Sequence, residues 1–498
     1  MRWHKQDERS RPVIAPLKQT LRFETAGRSQ MLPFGGRADV TARGSGALAV
    51  ASGMVGFFCL LPYPALSIGG TSALQIGNLL TVLMVLPVLA MSWRGRAFWI
   101  YPVILLPLCL SAAKVAVAGD GDLGACLKAM TVWAVSCLTL LVPQLYARRY
   151  ALNILTGVAI VMLLHAGLGL WQLYSFSSGV FPFPELYINQ SFLSVQENAN
   201  TIARYTQRPF GLFPEPSAMS SSLAPWVLFY AAHFCGVIRL RQRPARWQEM
   251  LFGAAAASGL GLIILSQSGH AAVTLAAMML FAIVWFLRCG ATLRTYLSIV
   301  ALLGIVLPAV LWFAAVSLGN RVGDSQMGNS SWAERSMSLR LGFWMLVEGE
   351  NGRAMFGVGV GHVAPALWNM AQIDAVFSVL LTYIYETGLM GLMAVSAIGL
   401  CLARVWKSLR FNLAFAAIAA VWLVGITVTT SYEQLLSLWM VLGWLTVWPE
   451  ICEARVDVRR RPAARKPVED VIGEPGVVWE PAAAGKLAGD LPKRWSEQ

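Results

Sequence analysis

Charge is scarce in this chain. Of its 498 residues only 13% are Asp, Glu, Lys or Arg, while 56% are apolar and the mean hydropathy is +0.58. Soluble domains carry about 25% charged residues, and a surface made from this composition could not be kept in water. An ordinary cytosolic enzyme and a disordered protein are both excluded. Cysteine chemistry is equally thin. Cys59, Cys109, Cys126, Cys137, Cys235, Cys289 and Cys401 lie in or at the edges of apolar runs without CxxC spacing, and Cys452 begins the tail. They read as small packing residues, which excludes a secreted disulfide scaffold. The five histidines form no HxxxH or HxxE pair, so neither residue type supports a metal site. The net charge of +13 comes without basic stretches interleaved with exposed aromatics, and nucleic-acid binding is the weaker account of it.

Long hydrophobic runs are what the chain has instead. A bilayer core takes about 20 predominantly apolar residues per helix. Such runs occur near 46–68, 72–91, 97–118, 125–146, 151–173, 217–238, 249–268, 270–288, 295–317, 376–403, 411–429 and 433–450, which makes about twelve spans. No cleavable signal is expected ahead of them. The first 45 residues are polar and basic, and the first run is itself the targeting element. With the N-terminus inside, every inside loop is basic: Arg94 and Arg96; Arg148 and Arg149; Arg239, Arg241, Arg243 and Arg246; Arg288 and Arg294; Arg404, Lys407 and Arg410. The short outside loops hold Asp120, Asp122 and Glu433 instead. The positive-inside rule is satisfied by these loops with both termini cytoplasmic, and the basic charge is mostly topological, with some attraction to anionic lipid. The expected class is an all-α, polytopic integral membrane protein: a basic segment 1–45, a membrane domain 46–450, and a Pro-, Arg- and Ala-rich tail 451–498 expected to be poorly ordered.

Two outside segments, about 174–216 and 318–375, are too long to be mere connections. Both carry arginines on the disfavoured side: Arg204 and Arg208 in the first, Arg321, Arg335, Arg340 and Arg353 in the second. Pairing with loop carboxylates is one reason for them. Binding an anion is the other, since a guanidinium fork matches phosphate oxygens. In RPFGLFPEPSAMSSSLAP (208–225), three prolines and Gly211 fix a turn that brings Arg208 and Glu215 to the mouth of a helix, a candidate anion or sugar site. The same prolines also suit a plain loop-to-helix turn with Ser217 as N-cap. SMSLRLGFWMLVEG (336–349) has the periodicity of an amphipathic helix lying at the interface, with Arg340 on one face. FGVGVGH (356–362) lacks the spacing of a phosphate-binding loop and reads more readily as a turn for close backbone packing. Glu386 lies inside the next span, within about three turns of Asp374, and Gly388 and Gly391 permit tight helix contact. Lys114 and Lys128, near outer helix ends, either snorkel or function. His165 reads as a packed, hydrogen-bonded histidine, and His270 occupies the short outside turn SQSGH.

In this order, RPFGLFPEPS, LSQSGHA, SMSLRLGFW, FGVGVG and YETGLMGL, the motifs resemble the O-antigen ligase and Wzy-type polysaccharide polymerase superfamily over about 200–395. Two departures point away from a ligase. The head of the Glu-x-Gly-x-x-Gly helix, where a ligase has a His-Asn or His-Ser pair, reads IDAVFSV, with Asp374 the nearest ionisable residue at a spacing not quite the family's, and the turn Ser268-Gly269-His270 lacks the usual arginine. The resemblance implies a GT-C-like membrane glycosyltransferase, working without metal or cofactor on undecaprenyl-pyrophosphate-linked oligosaccharides. It implies Arg208 and Arg340 as stabilisers of the leaving pyrophosphate, Glu215 or Asp374 as the proton acceptor, Glu386 as a positioning group, and His270 and Arg204 as further substrate contacts. Membrane lipid, a chain-length-regulating copolymerase and export machinery are the expected partners; nucleic acid is not. An O-antigen ligase differs only in its acceptor. A twelve-helix transporter of polysaccharide or lipid-linked sugar would show repeated halves and midspan polar groups, and 46–238 and 249–450 show no such repeat.

Overall fold

A computed structural model describes residues 45–62, 65–68, 72–91, 99–119, 121–178, 180, 208–289, 304, 308, 331–348, 352–373, 376, 378–409, 412–428 and 436–453. Arg204, Arg321, Asp374, Asp120, Glu433, the first 44 residues and most of 295–317 lie outside the described residues, as do the side chains of His270 and Arg335. The described chain is mostly helical. In order come α1 (Ser45–Phe58), β1 (Ala65–Ile68), β2 (Ser72–Gln75), α2 (Ile76–Met91), α3 (Ile100–Ala118), α4 (Leu123–Cys137) and α5 (Leu141–Ser177). They are followed by α6 (Pro216–Phe234), β3 (Arg239–Leu240), α7 (Arg246–Leu265) and α8 (Gly269–Cys289). Next are α9 (Ser331–Val347), α10 (Arg353–Phe356), α11 (Val363–Ala371), α12 (Val379–Ser408), α13 (Leu413–Val428), α14 (Leu436–Thr446), α15 (Trp448–Ile451) and β4 (Cys452–Glu453).

Among the described residues, four helical stretches are long and apolar enough to cross a membrane: Ile100–Ala118, Leu123–Ser177, Arg246–Leu265 and Val379–Ser408. Shorter apolar helices occupy parts of 46–68, 72–91, 270–288, 411–429 and 433–450, and α6 occupies most of 217–238. The first run is corrected by the structure. Its helix stops at Phe58, and residues 65–68 pair with 72–75 as an antiparallel hairpin. Pro62 and Pro64 explain the stop, since neither supplies an N–H and each disfavours helix in the residue before it. The adjoining runs 249–268 and 270–288 are two helices, meeting at Ser266–Ser268. The stretch Leu123–Ser177 holds two expected runs, and its helix breaks between them at Tyr150 (φ −123°, ψ 24°). Gln242 answers that break: its Nε2 donates to Arg148 O (3.1 Å) and Arg149 O (2.8 Å), and its Oε1 accepts from Leu152 N at 3.3 Å.

The core is aromatic. Trp226, Phe229, Trp444 and Trp448 are buried and meet ring to ring at 5.6–5.9 Å, with Phe415 joining Trp448 at 5.6 Å. These contacts also give the bundle two different ends. At one end, β3 pairs with β4, Arg241 Nε donates to Pro449 O at 3.1 Å, and Gln242 holds the 148–149 turn. The start of α13 meets α15 there through Phe415 and Trp448. Loops bearing Arg148, Arg149, Arg239, Arg241, Arg243 and Arg246 therefore gather at one end. At the other, His165 of α5 bonds to Leu60 O and Leu212 N, Gly425 of α13 packs against Ser221 of α6, and Ser378 ahead of α12 donates to Ile426 O at 3.4 Å. The outside motifs belong to this second end.

Candidate functional site

The turn before α6 is held from beneath by two α5 side chains. Gln172, 1% exposed, accepts at Oε1 from Phe210 N and Gly211 N (2.9 Å each) and donates from Nε2 to Gly211 O (2.9 Å). His165 is fully buried; its Nδ1 accepts from Leu212 N at 3.2 Å and its Nε2 donates to Leu60 O at 2.8 Å. It is a packed, fully engaged histidine. Gly211 is needed twice over. Its φ is +57°, and a Cβ there would stand 2.5 Å from His165 Nδ1. With Phe210 and Phe213 buried below, the half-buried Arg208 and Glu215 flank a rigid loop.

Glu215, not Ser217, occupies the N-cap of α6. Its backbone is extended (φ −156°, ψ 161°) and Pro216, which lacks an N–H to satisfy, takes the first helical position. Ser217 Oγ instead donates to Glu215 Oε1, orienting the carboxylate. One turn on, Ser220 meets the turn between α7 and α8. Ser220 and Ser266 hydroxyls are 2.8 Å apart, Ser268 and Ser220 3.1 Å, and Ser266 and Ser268 3.4 Å. All three are buried. Ser268 Oγ also accepts from Ala271 N at 3.1 Å, starting α8 directly beside His270. Gln267 between them has φ +46°, a strained value for a residue with a side chain. The start of α6, which follows the Arg208–Glu215 loop, and the turn ahead of His270 are thus pinned together by three hydroxyls.

The second group forms around α12, which is not continuous: Gly388 has φ +64° and ψ −146°. The glycine-rich stretch enters this break. A Cβ on Gly388 would stand 2.6 Å from Gly357 N and 2.8 Å from Ala354 O, so only glycine allows the approach. Freed backbone groups are satisfied from outside the helix: Val358 N donates to Tyr385 O at 2.9 Å and Ser111 Oγ to Glu386 O at 2.6 Å. Glu386, 4% exposed, accepts from Gly361 N at 2.8 Å through Oε1. Lys114 does not snorkel outward; its Nζ donates to Gly357 O at 3.4 Å. FGVGVGH is a packing element, and its Gly357, Val358 and Gly361 amides are all taken internally.

Helix α9 lies against the head of α12, where Tyr385 OH donates to Leu339 O at 3.0 Å and the Tyr385 ring covers Gly342. Ser338, Gly342 and Met345 face inward, while Leu339, Phe343, Trp344 and Val347 are exposed. Arg340 shares that exposed, largely apolar face. It stands apart from the buried Glu386 group. Glu215, Arg208 and the turn leading to His270 are therefore brought together, Glu386 belongs to a separate buried junction, and Arg340 faces outward. Gln172, Ser220, Ser266 and Ser111 carry these arrangements with Ser268 and were not singled out by sequence, where each is an unremarkable polar residue in an apolar run. Among the described residues, no three His, Cys, Asp or Glu side chains group as a metal ion requires. Compared with protein families, curated proteins and solved structures, the chain gives no match.

Proposed function

We propose that this chain is a membrane glycosyltransferase that joins undecaprenyl-pyrophosphate-linked oligosaccharide repeat units into an exopolysaccharide or O-antigen-type polysaccharide. The work is done on the periplasmic face of a bacterial inner membrane, in a GT-C-like bundle of about twelve spans with both termini cytoplasmic. One observation carries the reading: the start of α6, which follows the Arg208–Glu215 loop, is fastened to the 266–268 turn ahead of His270 by the Ser220, Ser266 and Ser268 hydroxyls, at the end of the bundle away from the basic loops. The gathering of those loops at the opposite end supports the orientation.

In the reaction an acceptor sugar hydroxyl attacks the anomeric carbon of the donor. The bond from that carbon to the pyrophosphate oxygen breaks, and undecaprenyl pyrophosphate leaves with the electron pair. The hydroxyl proton passes to a carboxylate, Glu215 or Asp374. Arg208 supplies a fixed positive charge where negative charge grows, the kind of preorganised stabilisation worth about 10²–10³ in rate. A carboxylate base contributes about 10²–10⁴. Arg204 and His270 serve as further substrate contacts, Glu386 as a positioning group, and Arg340, on the outer face of α9, reaches the lipid head-group layer. The polyprenyl chain stays in the bilayer throughout.

A second reading, transport of a lipid-linked sugar, is favoured by one feature: a helix broken at Gly388 beside a buried carboxylate, as transporter sites often have. Variants separate the two. In the polymerase account, cells carrying Arg208→Ala or Glu215→Gln insert the protein normally but replace polymer with single lipid-linked units on the outer face. Polymer of normal length from both variants contradicts it, and units trapped on the inner face favour transport.

A further inference from the structure

The turn between Arg208 and Glu215 rests on two α5 side chains of different chemistry. Gln172 is an amide, and its pattern of donors and acceptors is the same at any pH. His165 can take up a proton. Its two partners fix its tautomer. Leu212 N, 3.2 Å from Nδ1, is a donor, so Nδ1 must offer a lone pair. Leu60 O, 2.8 Å from Nε2, is an acceptor, so Nε2 must carry the hydrogen. The neutral ring therefore fastens the turn to the chain just beyond α1. A second proton could go only to Nδ1, where it would meet the Leu212 N–H.

The surroundings give that proton no acceptor. His165 is fully buried, the Phe213 ring covers it at 4.7 Å, and Gly211 stands so close that a Cβ there would lie 2.5 Å from Nδ1. On the chain beyond α1 the ionisable group is Cys59, whose Sγ donates to Gly56 O at 3.0 Å. On the turn itself they are Arg208 and Glu215, and Glu215 has one carboxylate oxygen on Ser217. Arg148 and Arg149 of α5, Arg246 and Glu249 of α7, and Glu450 of α15 lie at the basic end of the bundle. Among the described residues no charged side chain acts on the ring. A protonated His165 would be a buried charge with no counter-ion, set against a donor instead of an acceptor, and the relief is for the turn to lift and let water in.

We propose that His165 is an acid-sensitive latch beneath the candidate site: protonation at Nδ1 breaks its bond to Leu212 N and releases the 210–213 turn, and with it the fixed spacing of Arg208 and Glu215. The sign follows from counting protons. The closed form leaves Nδ1 bare, while the open form exposes an ordinary imidazole, which binds a proton below about pH 6.5. Closure is at full strength above that value and weakens as the pH falls, by about tenfold per pH unit for one proton. The latch does not rest on the polymerase reading, since it concerns the loop whatever the loop binds. Hydrogen exchange of the full chain in detergent tests it, read by mass spectrometry from about pH 7.5 to about pH 4.5 and corrected for the intrinsic effect of pH. Protection of the 210–213 amides should fall towards a slope of about tenfold per pH unit, while that of 151–154, which includes Leu152 N on Gln242, holds. His165→Gln, whose amide can accept from Leu212 N and donate to Leu60 O without titrating, should keep the turn closed across the range. A second measurement covers a variant that loosens the turn at every pH. Isotope-edited NMR of the wild-type histidine rings should show His165, identified as the signal that His165→Gln lacks, gaining its Nδ1 proton as protection is lost. Protection of 210–213 that ignores pH, a loss in step with 151–154, the same pH dependence in His165→Gln, or a turn that opens while His165 is still neutral would each overturn the proposal.

Discussion

At the scale of single residues, the candidate site depends on groups whose work is to fix others. Gln172 is the clearest case, because three backbone groups of the 210–211 turn have it as their partner. Replacing it leaves two amides and a carbonyl stranded in a buried place. At about 1 kcal/mol for each lost hydrogen bond, Gln172→Leu should lower stability by about 3 kcal/mol, read by thermal unfolding in detergent. An unchanged melting temperature would mean the turn is held by its prolines alone. The sequence made Arg208 legible, since a positive charge on the disfavoured side of a membrane needs a reason, and Glu215 through the proline-fixed turn that it shares. It could not single out Gln172, Ser220 or Ser266. A lone polar residue in an apolar run does not announce which loop it will meet, and their importance lies wholly in tertiary contacts.

At the scale of elements, the helix pattern was legible where apolar runs end in charged loops, as where α7 follows the basic loop 239–246. It was misleading where proline or glycine interrupts a run from within. Pro62 and Pro64 cut the first run, and Gly388 breaks α12 although Glu-x-Gly-x-x-Gly also suits an unbroken helix in tight contact. The partner that makes the break affordable, Gly357, lies thirty-one positions earlier in the chain, at a distance no local pattern reports. Gly388→Ala should therefore cost about 1–3 kcal/mol in backbone strain alone and should expel the 354–358 segment from α12. Limited proteolysis is the check: new cleavage within 349–362 is expected, and a wild-type pattern would contradict a shared junction. Glu386→Gln, which keeps an oxygen for Gly361 N, should stay resistant where Glu386→Ala does not.

At the scale of the molecule, one end carries the basic loops and the other carries the candidate site. Cys235, exposed after α6, reports on the basic end. In a variant keeping only that cysteine, a membrane-impermeant maleimide should label inverted vesicles and spare intact cells; the reverse pattern would turn the whole bundle over. The reaction itself is tested most directly with the purified wild-type chain and lipid-linked repeat units from its own host, their products read by mass spectrometry. Lipid-linked dimers and longer chains, with undecaprenyl pyrophosphate released in step, are the expected result. Unchanged single units from a folded preparation would contradict it.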